Sequence, residues 1–369
     1  MTHYQTAIVT TTIYVPKLLS AYAKDAKAHG HNPLFVVIGD KKTPQEAERF
    51  CNKLGRQSGL RVEYFSPERQ ESYLKKFPAL KKHLPWNSIQ RRNVGILFAY
   101  EAGCGTIITI DDDNFLVTKD FIGAHQVVGE RTCDVVSTST KWMNVCKLLK
   151  EKHGRTFYHR GFPLEKRLPK ETWKTKRANV RPVVNAGLWL GDPDVDAMER
   201  LYYLSDPTDA ISYLRKRKLN ISPSKGTWTP FNSQNTAIRR FCIPAYFLSP
   251  LIGRYDDIWA SYILKHIADH LGDSIVFGEP VVRQERNPHN YWKDLDQERY
   301  GHALTLRFVA ALSAVKLRGQ TYSECYGGLI EALPEALDKQ MFSADERRFI
   351  DGMLEGMRIW SAVFARLKK

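Results

Sequence analysis

The sequence predicts an α/β fold built on an open, mostly parallel sheet, and three observations predict it. Short β-branched segments recur at 7–13 (AIVTTTI), 34–38 (LFVVI) and 106–110 (TIITI), each bounded by polar residues, the pattern of buried strands. Helical stretches at 16–29 and 43–54 lie between them, the alternation expected of a parallel sheet. Two of the strands run straight into polar residues, Gly39-Asp40 and Asp111-Asp112-Asp113. Ligands of such sheets bind at the carboxyl edge.

The chain has 369 residues, 43% hydrophobic and 26% charged, which excludes a mostly disordered or collagen-like protein. No apolar run approaches the ~18 residues of a membrane span, and residues 1–5 lack the basic start of a secretory signal. The six cysteines are scattered, with no C-x-x-C pair, so reduced thiols in a cytoplasmic protein are expected. Residues 222–230 (SPSKGTWTP) read as a loop within the main domain. From about Gly301 the pattern turns helical, giving an expected catalytic domain at 1–300 and a helical extension at 301–369. Ser343 with Glu346 forms a capping-box pattern. Phe349, Ile350, Met353, Leu354, Met357, Trp360, Val363, Phe364 and Leu367 then repeat as one broad apolar face. That face packs on the chain's own core or forms a homo-oligomer interface.

Lys and Arg number 55 against 40 Asp and Glu, a formal charge of +15, so an anionic partner is the first question. Between Lys147 and Arg181 twelve basic residues face three acidic ones, a net +9 over 35 residues. Arg160-Gly161-Phe162-Pro163 interrupts any helix there, leaving a basic loop suited to phosphate. A second run at 215–218 reads as a solvated helix face. No zinc-finger spacing or RNA-recognition signature accompanies the charge, so nucleic acid is the weakest partner class. No G-x-G-x-x-G follows the first strand; phosphate is gripped by another device.

Three constellations can carry chemistry. In Ile110–Phe115 (IDDDNF) consecutive carboxylates repel one another at the end of a buried strand. A hard divalent ion between Asp111 and Asp113 would relieve that cost; an exposed acidic turn is the plainer reading. Ile252–Trp259 (IGRYDDIW) gathers Arg254, Asp256 and Asp257, either as a capped helix start with an ion pair or as carboxylates facing a sugar. Arg160, with Arg167 seven residues on, suits phosphate through its planar fork. His289 is a surface imidazole or a metal ligand.

These segments together resemble a known family. VTTTI, TIDDDNF, RGFPLEKR, AGLWLGDPDVD, SKGTWTPFNSQN, IGRYDDIWA and RNPHNYW, in that order from Val9 to Trp292, are similar to the UDP-arabinopyranose mutases, also called reversibly glycosylated polypeptides. The resemblance implies a GT-A-like fold, a divalent ion (Mn2+ ahead of Mg2+) and flavin-free interconversion of pyranose and furanose nucleotide sugars. By motif it gives Asp111, Asp112 and Asp113 to metal and diphosphate, Arg160 to reversible glycosylation, Arg167 to activity, and Asp256 and Asp257 to the sugar. Nucleotide-sugar binding is assigned to Thr10, Thr11, Thr12, Asp40, Arg92, Asp112, Trp189, Lys225, Asn235 and Arg254.

The chain departs from the family in three places, one of them the flanks of the asparagine-bearing loop near Asn235. Arg283 and Gln284 stand where members have a histidine shortly before Asn287-Pro288, with His289 as its replacement, and Asn114 stands where a cysteine is common. The expected function is a metal-dependent mutase of UDP- or GDP-linked sugars, the wider substrate range following bacterial-type relatives. A GT-A glycosyltransferase and a non-catalytic nucleotide-sugar-binding partner are the alternatives.

Overall fold

The computed structural model describes residues 4–214, 220–287 and 289–367; the basic run at 215–218 lies outside them. Strands β1 (Thr6–Thr11), β2 (Leu34–Ile38), β3 (Arg61–Phe65) and β4 (Thr106–Ile110) alternate with helices α1 (Leu19–Ala28), α2 (Glu46–Ser58), α3 (Pro67–Tyr73), α4 (Pro78–His83) and α5 (Arg92–Glu101). The β-branched runs form the buried strands that their pattern predicts. Strand β1 stops at Thr11 rather than Ile13: the Thr12 amide still donates to the Ile38 carbonyl at 3.0 Å, and the Thr12 hydroxyl then turns the chain. It donates to Asp112 at 2.7 Å and accepts from the Tyr14 amide at 2.9 Å. The two early helices start about three residues later than expected, and α2 runs on to Ser58, where Gly59 caps it at φ +69°.

The second half adds β5 (Asn114–Leu116), α6 (Phe121–His125), β6 (Cys133–Thr138), β7 (Leu149–Glu151), β8 (Trp173–Ala178), β9 (Arg181–Gly191), α7 (Ala197–Tyr202), β10 (Ala210–Tyr213), β11 (Ile221–Pro223), β12 (Asn235–Arg239), α8 (Asp256–Leu271) and β13 (Asp273–Gln284). The expected 222–230 loop therefore begins inside β11. The sheet order is β3-β2-β1-β4-β12-β9-β13-β11-β6-β8. From β3 to β13 the strands run parallel apart from β12, which is antiparallel to both neighbours. The far flank is mixed, with β8 pairing antiparallel to β6 at the edge. This is the mostly parallel α/β architecture expected, with the parallel character concentrated in the core.

One pairing matters most for the site. After the aspartate trio, β5 crosses to the end of β13, with Asn114 opposite Gln284. The Glu285 amide then donates to the Asp113 carbonyl at 3.2 Å. The loop after β13 is thereby held against the trio.

Helices α9 (Tyr291–Ala314), α10 (Tyr322–Asp338) and α11 (Ala344–Leu367) complete the chain. Helix α9 runs through the expected 300/301 boundary, and its buried residues join the core of the sheet domain. Trp259 of α8 stacks on Phe308 of α9 with ring centroids 4.2 Å apart. The Ser343–Glu346 box forms as expected, through amide donations of 2.8 and 3.2 Å. The apolar face of α11 is covered by its own chain: Trp360 stacks on Phe247 at 5.1 Å and donates its indole N–H to the Ile243 carbonyl. All six cysteines are free and buried.

Candidate active site

A cavity of about 270 Å³ opens at the carboxyl edge of β1 and β4. Its first wall is the aspartate trio that ends β4. Arg92, the first residue of α5 and 1% exposed, donates to Asp111 at 2.5 Å and to Ser233 Oγ and carbonyl at 2.8 and 2.9 Å. Asp112 accepts from Thr12. Asp113 is left with a buried Oδ1 that has no hydrogen-bond partner. Burial, then the charge of Asp111, pushes the Asp113 carboxyl up to about 6.

The second wall is the start of α8 and the Arg160 loop. Asp256 and Asp257 open the helix, where the amide dipoles favour anions, yet both are buried. Asp257 accepts from the Ser233 amide at 2.9 Å and hydroxyl at 3.1 Å, and from Arg160 Nη2 at 3.3 Å. Asp256 accepts from Gln90 Nε2 at 2.8 Å. Burial, then Asp257, raises the Asp256 carboxyl from 3.8 to about 7.

Arg160 is clamped. Its Nε and Nη2 reach the two oxygens of Asp194 at 3.0 Å each, and Nη1 donates to the Arg254 carbonyl. Burial opposes the charge, but Asp194 and Asp257 hold the guanidinium pKa well above its ordinary value. In return Arg160 and His159 keep Asp194 far below the usual carboxylate range despite its burial. Gly161 makes the close approach feasible. At φ +85° it lies so near α8 that a Cβ would come within 2.2 Å of Ile258.

Of the residues expected from sequence, Thr11, Arg92, Asp111, Asp112, Asp113, Arg160, Arg254, Asp256, Asp257 and His289 line this cavity. Thr12 and Asp40 line a neighbouring one of about 220 Å³ that shares Thr11, Ile89 and Asp112 with it. The Asp40 carboxylate is spent on the Lys41, Asn87 and Ser88 amides, so it shapes that pocket's loop. The Arg254 guanidinium turns back to Glu298 at 2.8 Å and Asp294 at 3.5 Å.

Five expected residues are not at the cavities. Thr10 is buried within β1, where strand alternation turns it inward. Trp189 is buried in β9, donating to Gln234 at 3.0 Å. Asn235 holds His125 beneath the sheet at 3.0 Å. Arg167 pairs with Asp196 behind the Arg160 loop. Lys225 lines a separate cavity beside His270, near the opposite end of α8. Within the basic 147–181 segment Arg160 alone reaches the cleft; Lys174, Lys176 and Arg177 are exposed on edge strand β8, where charge discourages edge pairing.

Sequence reasoning missed Asp194, Gln90, Asn232, Ser233, Gln234, Gln284 and Arg286. Asp194 carried a usable signal: like the trio, Asp192, Asp194 and Asp196 follow a long apolar strand, and an acidic run there needs partners.

Asp111, Asp113 and His289 do not meet at ligand spacing. Among the described residues the set that does, with atoms within 4.8 Å, is Asp196, Glu298 and His302. Those two carboxylates already face Arg167 and Arg254, and a divalent ion would sit beside two guanidinium charges. The set reads as an ion-pair buttress behind the Arg160 loop.

Comparison with known proteins places this geometry in a family. Residues 75–365 match the model described as reversibly glycosylated polypeptide. UDP-arabinopyranose mutase 1 of Arabidopsis thaliana is 30% identical over 240 residues, covering 63% of this chain and 62% of that protein. The probable UDP-arabinopyranose mutase 1 of Pisum sativum is 30% identical over 241 residues, covering 63% and 61%. The match thus spans less than two thirds of either relative. A solved mannosyltransferase from Pyrobaculum calidifontis, in complex with GDP-Man and Mn2+, aligns over 98% of this chain and 87% of its own. Its TM-score is 0.37 and its identity 10%, a likeness too distant to carry an argument. With the family model covering most of the sequence, the chain belongs to the reversibly glycosylated polypeptide family.

Proposed function

We propose that this chain is a mutase that interconverts the pyranose and furanose forms of a UDP- or GDP-linked sugar while the nucleotide stays bound. One observation carries the reading: across a single cleft, the buried Asp256 carboxyl, its pKa raised by burial and Asp257, faces an aspartate trio with an unsatisfied oxygen. The nucleoside would occupy the neighbouring cavity, the diphosphate the trio, and the sugar the space before Asp256.

The charge balance of the cleft and the unpaired Asp113 Oδ1 favour a divalent cation, which would have to draw Asp111, Asp113 and His289 closer than they stand. Four arginines and six aspartates line the cleft, a formal −2, so a nucleotide diphosphate would enter against like charge. Asp111 and Asp113 would hold the ion, manganese ahead of magnesium. His289 is a further donor, because Asp294 accepts its Nδ1–H at 3.0 Å and leaves the lone pair on Nε2. When bound, the ion supplies positive charge to the diphosphate as the anomeric bond breaks. The exchange is redox-neutral, and the reading includes no flavin.

Ring exchange breaks the bond between the anomeric carbon and the diphosphate. The 4-hydroxyl closes on that carbon, and the diphosphate returns as the old ring oxygen leaves. One proton passes from the 4-hydroxyl to the former ring oxygen, so the balance is even. Asp257 spends its oxygens on Ser233 and Arg160. Asp256, partly neutral near pH 7, is therefore the carrier able to take and return that proton. Arg160 acts as a fixed cation: a protonated guanidinium offers no electron pair to the anomeric carbon. Glycosylation of Arg160 would require its Asp194 contacts to open and a proton to leave.

Incubating the purified protein with manganese and UDP- or GDP-sugars, then separating ring isomers, tests the reading. Release of free sugar, or transfer to an acceptor with no isomer formed, rejects it.

A further inference from the structure

We propose that Arg286 is the side chain that grips the diphosphate of the nucleotide sugar, an inference that rests on the cleft being a nucleotide-sugar site. Four guanidinium groups line the cleft, and three of them are spent. Arg92 is divided between Asp111 and Ser233 at 2.5 to 2.9 Å. Arg160 is clamped by Asp194, with further donations to Asp257 and the Arg254 carbonyl. Arg254 points behind the cleft to Glu298.

Arg286 differs. It approaches Asp192 at 3.3 Å and Asp194 at 3.7 Å, and neither approach has the geometry of a hydrogen bond. Its Nε is buried without a hydrogen-bond partner, as is that of Arg92, but Arg92 has its other nitrogens bonded and Arg286, among the described residues, does not. A guanidinium carries five donors in a planar fork that matches the oxygens of phosphate. Leaving that fork idle in a buried site is costly unless a ligand completes it.

Its position agrees. The pairing of β5 with β13 and the Glu285 amide bond to Asp113 hold this loop against the trio. The positive charge of Arg286 reaches the Asp113 carboxylate, although it is the smallest influence there, after burial, Asp111, Gln284 and Asp112. A diphosphate seated at the trio therefore lies beside the one guanidinium of the cleft that, among the described residues, makes ion pairs but no hydrogen bond. The contact is to phosphate, so the base and the sugar do not enter it.

Isothermal titration of UDP, GDP and inorganic pyrophosphate into the full chain with manganese, for wild type, Arg286→Gln and Arg286→Lys, tests this. Arg286→Gln should raise Kd for pyrophosphate and for the nucleotide that binds by a similar factor, on the order of 10- to 100-fold. Arg286→Lys should regain part of the loss, since it restores charge without the fork. In turnover KM should rise more than kcat falls. Affinity of Arg286→Gln within twofold of wild type overturns the proposal and leaves the mutase reading standing. So does a loss confined to the nucleotides with pyrophosphate unaffected. Wild type that binds none of the three probes overturns both. Should Arg286→Gln fail to fold, Arg286→Lys at the wild-type melting temperature decides: weakened binding supports the fork, and wild-type affinity refutes it.

Discussion

Replacing Asp256 by Asn should separate stability from turnover. The carboxyl is buried, and burial followed by Asp257 raises its pKa from 3.8 to about 7. An acid with a higher pKa in the folded chain holds its proton more tightly when folded. Below pH 3.8 both states are protonated and the group costs nothing; as pH rises toward 7 the penalty grows, and above 7 it is constant. About three pH units at ~1.4 kcal/mol each set a ceiling of ~4 kcal/mol. Sharing of charge with Asp257 lowers the net figure to roughly 2 kcal/mol. Asn keeps the shape and an oxygen for Gln90 Nε2. The variant should therefore be roughly 2 kcal/mol more stable than wild type at pH 8, with about half that advantage at pH 5.5. Turnover should fall on the order of 100-fold or more as the proton carrier is lost. Urea unfolding at both pH values in chelator, beside the isomer assay, measures the two effects. A gap that does not grow with pH, or a variant that keeps wild-type turnover, refutes the assignment.

Three further outcomes follow from the same geometry. Chelation should abolish turnover, with manganese restoring it better than calcium; Asp113→Asn should weaken manganese binding in titration without lowering the melting temperature, since its carboxyl already resists ionisation. A melting temperature that collapses in Asp113→Asn would make that aspartate structural. Glu298→Ala leaves the Arg254 guanidinium short of its nearest acceptor and the Ala197 amide unpaired, costing about 3–5 kcal/mol in urea unfolding. Glu298→Gln, which keeps an oxygen for one of them, should cost less. Trp360→Ala empties a fully buried site between α11 and Phe247 and should cost about 3–5 kcal/mol, with KM of the folded fraction unchanged.

The strands were legible because burial imposes a pattern on the sequence itself: 34–38 and 106–110 coincide with β2 and β4 residue for residue. The trio and the Asp256–Asp257 pair were legible for a related reason, as charges placed where the apolar flanks make them expensive. What the sequence hid was which charges meet. Arg160 and Asp194 are 34 residues apart and Arg254 and Glu298 are 44 apart, and nothing local in either segment names the other. Lys225 and Trp189 lie away from the cleft for the converse reason. Membership of a motif does not say which way a side chain faces, and Trp189 turns inward to support Gln234.

The first turns of α9, ahead of the helical extension, are the clearest case of support for the site lying outside the motifs. Asp294 and Glu298, four residues apart on one face of α9, hold the Arg254 guanidinium. The Arg254 carbonyl in turn receives Arg160. Gly253, at φ +57°, lies so close to α9 that a Cβ would come within 2.7 Å of the Gln297 carbonyl. The turn that presents Asp256 is thus seated on a helix that the sequence alone divides at residue 300. A buried cation needs its acceptors to stay put, so removing α9 would release Arg254 and, through it, one of the contacts that fixes Arg160. Residues 294–298 at the start of α9, ahead of the expected extension at 301–369, therefore hold the Arg254 turn in place as well as packing the fold.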